Sequence, residues 1–493
     1  MFATLTALAI VFAPSDGLPA RPAASVGMSA NRLETIDRIV RRGITAGGYP
    51  GASVVVGRRG YSVFEKGYGR LGWTSGSAAV VPDESIYDLA SLTKVVGTAT
   101  AAMILYDEGR LELDAPVSRY LPAFSGGSRD NVTVRHLLTH TSGLPAGRDL
   151  RRLANGPWDA RNVVTSTPLV CAPGACQVYS DIGADILGFA IESIAGQGLD
   201  SFLNERVFTP LGMSDTHFRP SQSERDRIAP TEVSSPRGYP LRGEVHDENA
   251  WALGGVAGHA GLFSTAADLS LFAQMMLNGG TYDGVRIVSD SAVARFTHRA
   301  VGTRALGWDT SDGDGTAGVH MGERAYGHTG FTGTSLWIDP DRDLFVILLT
   351  NRVHAPRARR PARVIADVRA DLADAAVLSV VDDNILKMPS SFRADKAVGW
   401  NRTVRRRAPV RRKPVATKTV AKKPTSKAAT KPKAATTKPK AAATKPKAAT
   451  TKPKAAATKP KAAARKPKAA ATKPATAAAK STPKASGKSG GAK

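Results

Sequence analysis

Acidic residues are missing from the end of this chain. From Asn401 to Lys493 there is no Asp or Glu, against 29 Lys and Arg. That absence locates the formal charge of +26: residues 1–400 hold 39 basic and 42 acidic side chains, a net of about −3. The body is near-neutral and globular, so the basic pI says nothing about its site. Cysteine is scarce, with only Cys171 and Cys176. Two thiolates cannot build a structural zinc site. They can close a small disulfide loop in an oxidising compartment, the alternative being two unrelated small thiols. Long apolar runs are missing too. Phe2–Ala13 is too short to span a bilayer. It has the size of a signal-peptide core but no basic residues before it. With the Pro/Ala-rich stretch that follows, residues 1–24 read as an export leader, which places the protein in the periplasm, cell envelope or medium. No other segment reads as transmembrane.

What is present organises into alternating signals. Ser29 is placed to cap a helix whose Leu33, Ile36, Val40 and Ile44 share one face. Ala52–Val56 and Tyr61–Tyr68 read as a hairpin across Gly57-Arg58-Arg59-Gly60. Helices are expected over 91–108, stopped by Gly109, over 181–195, and over 266–277 behind Ser264 or Thr265. Gly333–Ile338 and Leu344–Leu349 flank a turn at Asp339-Pro340-Asp341-Arg342. Strands at both extremities with helices between predict an α+β domain, its antiparallel sheet built from the two chain ends and an all-helical subdomain between them. The domain is placed at 29–378, a linker at 379–400 and a tail at 401–493. In the tail, Lys431, Lys438, Lys445, Lys452, Lys459, Lys466 and Lys473 recur every seven residues, each followed by proline. Proline in every heptad excludes a coiled coil, so the tail is expected to be a disordered polycation.

Three constellations carry chemistry. Ser91-Leu92-Thr93-Lys94 puts a hydroxyl and an amine one helical turn apart, where a base makes a serine a useful nucleophile. Tyr179-Ser180-Asp181 directly precedes a helix. His328-Thr329-Gly330 leads through Phe331 into a strand. Taken singly, each has a plain alternative: an ordinary helix start, a core tyrosine with Asp181 as helix cap, and a surface turn histidine.

In this order and separation the three motifs resemble the serine β-lactamase and penicillin-binding-protein superfamily, in its class C β-lactamase and esterase-like branch. Leu137–Leu144 and Leu262–Thr265 also look like segments of that branch, and the resemblance spans roughly 29–375. It implies a β-lactamase/transpeptidase-like fold with Ser91 as the acylated nucleophile and Lys94 as the amine that helps remove its proton. It implies Tyr179 as the phenol that relays the proton and then activates water. The oxyanion would be met by the backbone N–H groups of Ser91 and Phe331. Lys94 would need a depressed pKa. Gly330 is expected to let the substrate backbone lie against the strand edge.

Two departures bear on substrate. Asp181 stands where the family usually has asparagine, and His328 where it usually has lysine. Both changes lower positive potential, so esters and D-amino-acid peptides or amides are expected ahead of anionic β-lactams. A D-alanyl-D-alanine carboxypeptidase or weak β-lactamase is the alternative. A different class is a polyanion-binding protein with an inactive hydrolase scaffold, which the intact Ser91, Lys94 and Tyr179 argue against. No cofactor and no metal are expected. His136 and His140 have no carboxylate partner placed by the sequence, and His246-Asp247-Glu248-Asn249 and His259 flank Gly254–Gly258, which is expected to form a loop near the cleft without a metal. Gly487–Gly491 matches G-x-S-x-G only as a chance match in the tail. The tail itself is expected to hold an anionic polymer, cell-envelope polymer or nucleic acid, without sequence specificity.

Overall fold

Residues of β1 (Gly51–Arg58) are buried along their whole length, yet they serve two cores. Ala52, Val54 and Val56 point one way, while Val55 joins the opposite core. The same alternation divides Leu344, Val346 and Leu348 from Phe345, Ile347 and Leu349. Side chains along a strand alternate faces, so a strand covered on both sides reads as a continuous apolar run. The structure, a computed structural model, describes residues 15–233, 237–311 and 315–383.

Its main sheet adds β2 (Tyr61–Gly69), β3 (Asp309–Thr310), β4 (Tyr326–Thr329), β5 (Ser335–Asp339) and β6 (Leu344–Thr350). The order is β2-β1-β6-β5-β4-β3, antiparallel throughout, with Val54 opposite Leu348 and Leu336 opposite His328. The two chain ends therefore meet at the centre of one sheet, as the strand pattern predicts. One face packs on α1 (Thr35–Thr45) and α5 (Pro361–Leu378). The other packs on α2 (Thr100–Asp107), α3 (Asp181–Ala195) and α4 (Ala266–Leu277), part of the helical subdomain. The α3 and α4 bounds match the sequence reading.

Differences are local. The first helix breaks at Glu34 into Ala30–Leu33 and α1. The stretch 91–108 is not one α-helix: a 3-10 turn at Ala90–Leu92 and a π-turn at Lys94–Ala99 precede α2, and Gly109 ends it with φ +68°. Residues 15–24, assigned to the leader, belong to the folded body. Leu18 and Ala23 are buried, and Arg21 N–H donates to the Ser62 carbonyl at 2.9 Å. Residues 379–383, assigned to the linker, also pack. Val380 bridges to Met28, and Asp382 pairs with Arg58 at 2.7 Å. Residues 1–14, the rest of the linker and the tail, with its G-x-S-x-G match, lie outside the described residues. No helix among the described residues is long and apolar enough to cross a membrane.

Candidate active site

Ala90 holds a left-handed backbone, φ +47°. For an alanine that conformation costs about 1–2 kcal/mol. Asp88 restrains it by accepting the Ala90 N–H at 2.8 Å. The turn after β4 is stitched to this segment by two hydroxyls. Thr332 Oγ1 donates to the Asp88 carbonyl at 2.7 Å and Thr334 Oγ1 to the Leu89 carbonyl at 2.9 Å. Ser91 and His328-Thr329-Gly330 thus meet at one cleft of about 390 Å³. Gly330 also meets a demand of the fold itself. A Cβ there would come within 2.3 Å of the Leu89 carbonyl and 2.1 Å of Thr334 Oγ1, so the glycine admits the chain's own backbone.

Lys94 is buried and its ammonium has three acceptors. It donates to Ser91 Oγ at 3.0 Å and to the His259 carbonyl at 3.0 Å, and pairs with Asp181 Oδ1 at 2.8 Å. Burial works to depress the Lys94 pKa, but Tyr179 and Asp181 beside it win, and the net shift is upward. The expected depression does not appear: Tyr179, with the Asp181 carboxylate that stands in place of the usual amide, pushes the Lys94 pKa up. Burial opposes the Asp181 charge, and Lys94 nonetheless draws its pKa below the usual carboxylate range.

Tyr179 stands on a platform built by the residues before it. Cys171 and Cys176 are joined in a disulfide, and Cys171 lies against Gly143, which has no side chain to exclude it. Gly174 N–H donates to the Thr141 carbonyl at 2.8 Å and Val178 N–H to the His140 carbonyl at 2.9 Å. His140, itself left-handed at φ +58°, accepts the Ser180 N–H on Nδ1 at 3.1 Å. Its ring centroid is 4.6 Å from that of Tyr179. Burial pushes the His140 pKa down to about 3, so the imidazole is neutral. Ser180, not Asp181, caps α3 by accepting the Gly183 N–H at 3.0 Å.

His328 is buried on β4, its Nδ1 donating to the Thr329 carbonyl at 2.9 Å. Burial, with Arg304 beside it, holds its pKa well below the ordinary histidine value. It therefore adds no positive charge to the cleft. Arginines do: Arg304, Arg352 and Arg369 line it, and none of them was singled out from the sequence. The changes at Asp181 and His328 do lower positive potential, but arginines that no local motif marks add it back around the cleft. Arg304 pairs with Asp309 at 2.7 Å. Arg352 lies over the Phe331 ring, 4.5 Å from its centroid. Arg369 donates to the Gly330 and Thr334 carbonyls, each at 2.7 Å. Burial and the neighbouring Arg352 lower its pKa to about 9. Phe331 stands at the cleft, 61% exposed.

Of the other histidines, His246 stacks on Phe331 with ring centroids 5.7 Å apart, and the His259 carbonyl accepts from Lys94. His136 Nδ1 accepts the Thr133 N–H, and His246 Nε2 lies 2.7 Å from Glu232 Oε1. No metal-binding group of side chains occurs among the described residues.

Comparison with known proteins points to one family. The Beta-lactamase family model matches residues 36–370. A Salmonella paratyphi B protein named "Putative D-alanyl-D-alanine carboxypeptidase" is 34% identical over 370 residues, 68% of this chain and 85% of that one. A penicillin-binding protein homologue from Caulobacter crescentus superposes with a TM-score of 0.57 at 21% identity, over 72% of this chain and 99% of its own. A class C β-lactamase does so with a TM-score of 0.58 at 18% identity, over 74% and 100%. The two structural likenesses speak for the fold alone. Sequence match and fold agree that the chain belongs to the β-lactamase family of serine hydrolases.

Proposed function

We propose that this protein is an acyl-enzyme hydrolase of D-amino-acid peptides that end in a free carboxylate, a carboxypeptidase-type activity. Arg369 carries this reading. It is a buried guanidinium whose hydrogen bonds go to backbone carbonyls and whose nearest acting charge is a second guanidinium. Burying a cation without an anion is costly, and a substrate carboxylate in the cleft would offset both arginines. The name carried by the Salmonella relative points the same way.

In the proposed reaction Ser91 Oγ attacks the scissile carbonyl carbon and forms the acyl C–O bond. Lys94, held as an ammonium, stabilises the developing oxygen charge on Ser91 and does not act as base. Tyr179 takes the Ser91 proton as it passes its own to the leaving amine, so the C–N bond breaks with a neutral amine leaving. The oxyanion is met by the Ser91 and Phe331 backbone N–H groups. Water then attacks the ester with Tyr179 returning the proton to Ser91. Short esters are the second reading, favoured because neutral His328 and the Lys94–Asp181 pair leave the catalytic corner itself without net positive charge. We also propose export, supported by the disulfide, and a polyanion-holding role for the tail.

Kinetics of the release of D-alanine from a D-alanyl-D-alanine peptide, and of D-alaninamide from its C-terminal amide, test the reading. A strong preference for the free acid is expected. Equal rates on both would refute the carboxylate site.

A further inference from the structure

Behind Lys94 lies a buried charge cluster that the proposed chemistry does not use. His259 sits in the loop after Gly258, which is pressed so closely on α3 that a Cβ at 258 would come within 2.0 Å of the Ala184 carbonyl. Its ring spans two carboxylates. Nδ1 is 2.7 Å from Asp185 Oδ1, and Nε2 is 2.9 Å from Asp247 Oδ1. A neutral imidazole has a single N–H, so with both carboxylates ionised both ring nitrogens donate and the ring is an imidazolium; burial raises the Asp185 pKa, and the His259 charge works against that rise. The electrostatics agree: burial opposes the charge, but Asp185, Asp247 and Asp181 hold the His259 pKa well above its ordinary value.

Each carboxylate is anchored by a different element. Asp185 lies on α3, one turn beyond Asp181, and also accepts the His259 N–H at 3.3 Å. Asp247 caps the short helix Glu248–Ala252, accepting the Asn249 and Ala250 N–H groups at 2.9 Å each. The residue they fix is the one whose carbonyl accepts Lys94 Nζ at 3.0 Å. Asp88 and His246 flank Asp247 on its other side. Lys94 and His259 are therefore the two cations set among Asp181, Asp185 and Asp247.

We propose that His259 is the positioning residue of the Ser91 site: clamped as an imidazolium by Asp185 and Asp247, it fixes the carbonyl that aims Lys94 and offsets the carboxylates around it. This rests on the reading of Ser91 as the acylated residue. Without the imidazolium, Lys94 faces those carboxylates alone and is drawn from Ser91 toward Asp181. Every titration that controls acylation then moves to higher pH, by about one unit for a charge removed at this range.

The test follows the rate of Ser91 labelling by a fluorescent penicillin against pH in the full chain. Wild type is compared with His259→Gln, Asp247→Asn and the double variant. His259→Gln should slow labelling at neutral pH at least tenfold and move the pH limb up by about one unit. Asp247→Asn should move it down. The double variant, with the same net charge as wild type, should return it near the wild-type position. An unmoved limb in folded His259→Gln, or shifts that add instead of cancelling, overturns the proposal. Should His259→Gln fail to fold, Asp247→Asn decides alone: a downward shift supports the charge role and an unmoved limb refutes it. Failure of the underlying reading looks different, because wild type itself would then take no label on Ser91.

Discussion

Lys94 and Asp181 form an ion pair at 2.8 Å in which the ammonium is 4% exposed and the carboxylate 30%. It sits beside Ser91, the proposed nucleophile, so one charge bears on both the state of the lysine and the field a substrate would feel. Asp181→Asn restores a neutral amide and removes that field. Acylation of Ser91 by an anionic penicillin should then quicken about tenfold, and its alkaline limb should move to lower pH as Lys94 loses its partner. Stopped-flow labelling across pH checks both, and a slower or unshifted reaction would speak against the pair's role.

The arginines predict a split in binding. Arg369→Met removes a buried guanidinium from the cleft, so KM for a peptide with a free C-terminal carboxylate should rise about tenfold or more. A neutral short-chain ester, lacking that group, should lose far less. Steady-state kinetics on the two substrates measure the difference. Equal losses would mean that Arg369 only shapes the cleft.

Reduction should act through Tyr179. The Cys171–Cys176 loop leads straight into the segment docked on His140 and Thr141. Replacing both cysteines by serine should cost about 2 kcal/mol or less, given the short loop. Turnover should fall more than stability does, because Tyr179 loses its approach. Thermal melts beside kcat on the same preparation decide it.

Asp268 predicts a pH dependence of stability far from the cleft. Burial, with Asp215 beside it, raises its carboxyl pKa to about 7. A carboxyl raised in the fold stabilises fully below its unfolded value near 4 and loses that contribution as pH rises through about 7. Asp268→Asn should therefore be neutral at pH 4 and more stable than wild type at pH 8, by up to about 4 kcal/mol. Melting temperatures at the two pH values test the sign. A stabilisation larger at pH 4 would contradict it.

Much of the fold could be read in advance where periodicity was strong. The bounds of α3 and α4, the β1–β2 hairpin and the meeting of both chain ends in one sheet follow from apolar spacing and glycine stops. The motif residues Ser91, Tyr179 and His328 were marked by chemistry that recurs at fixed order. The arginines were not, because Arg304, Arg352 and Arg369 come from separate elements and converge only through the fold. The Lys94 charge is not legible for a related reason: in the sequence Asp181 reads as a change to the pocket, and only the fold puts its carboxylate 2.8 Å from the lysine. The role of Gly330 likewise depends on Leu89, which is distant in sequence.

The account turns on covalent chemistry at Ser91. Intact-mass measurement of the full chain after incubation with a fluorescent penicillin, followed by peptide mapping, tests it most directly. One adduct on the peptide carrying Ser91, lost in Ser91→Ala, is the predicted result. No adduct on wild type, or an adduct that persists in Ser91→Ala, would contradict it.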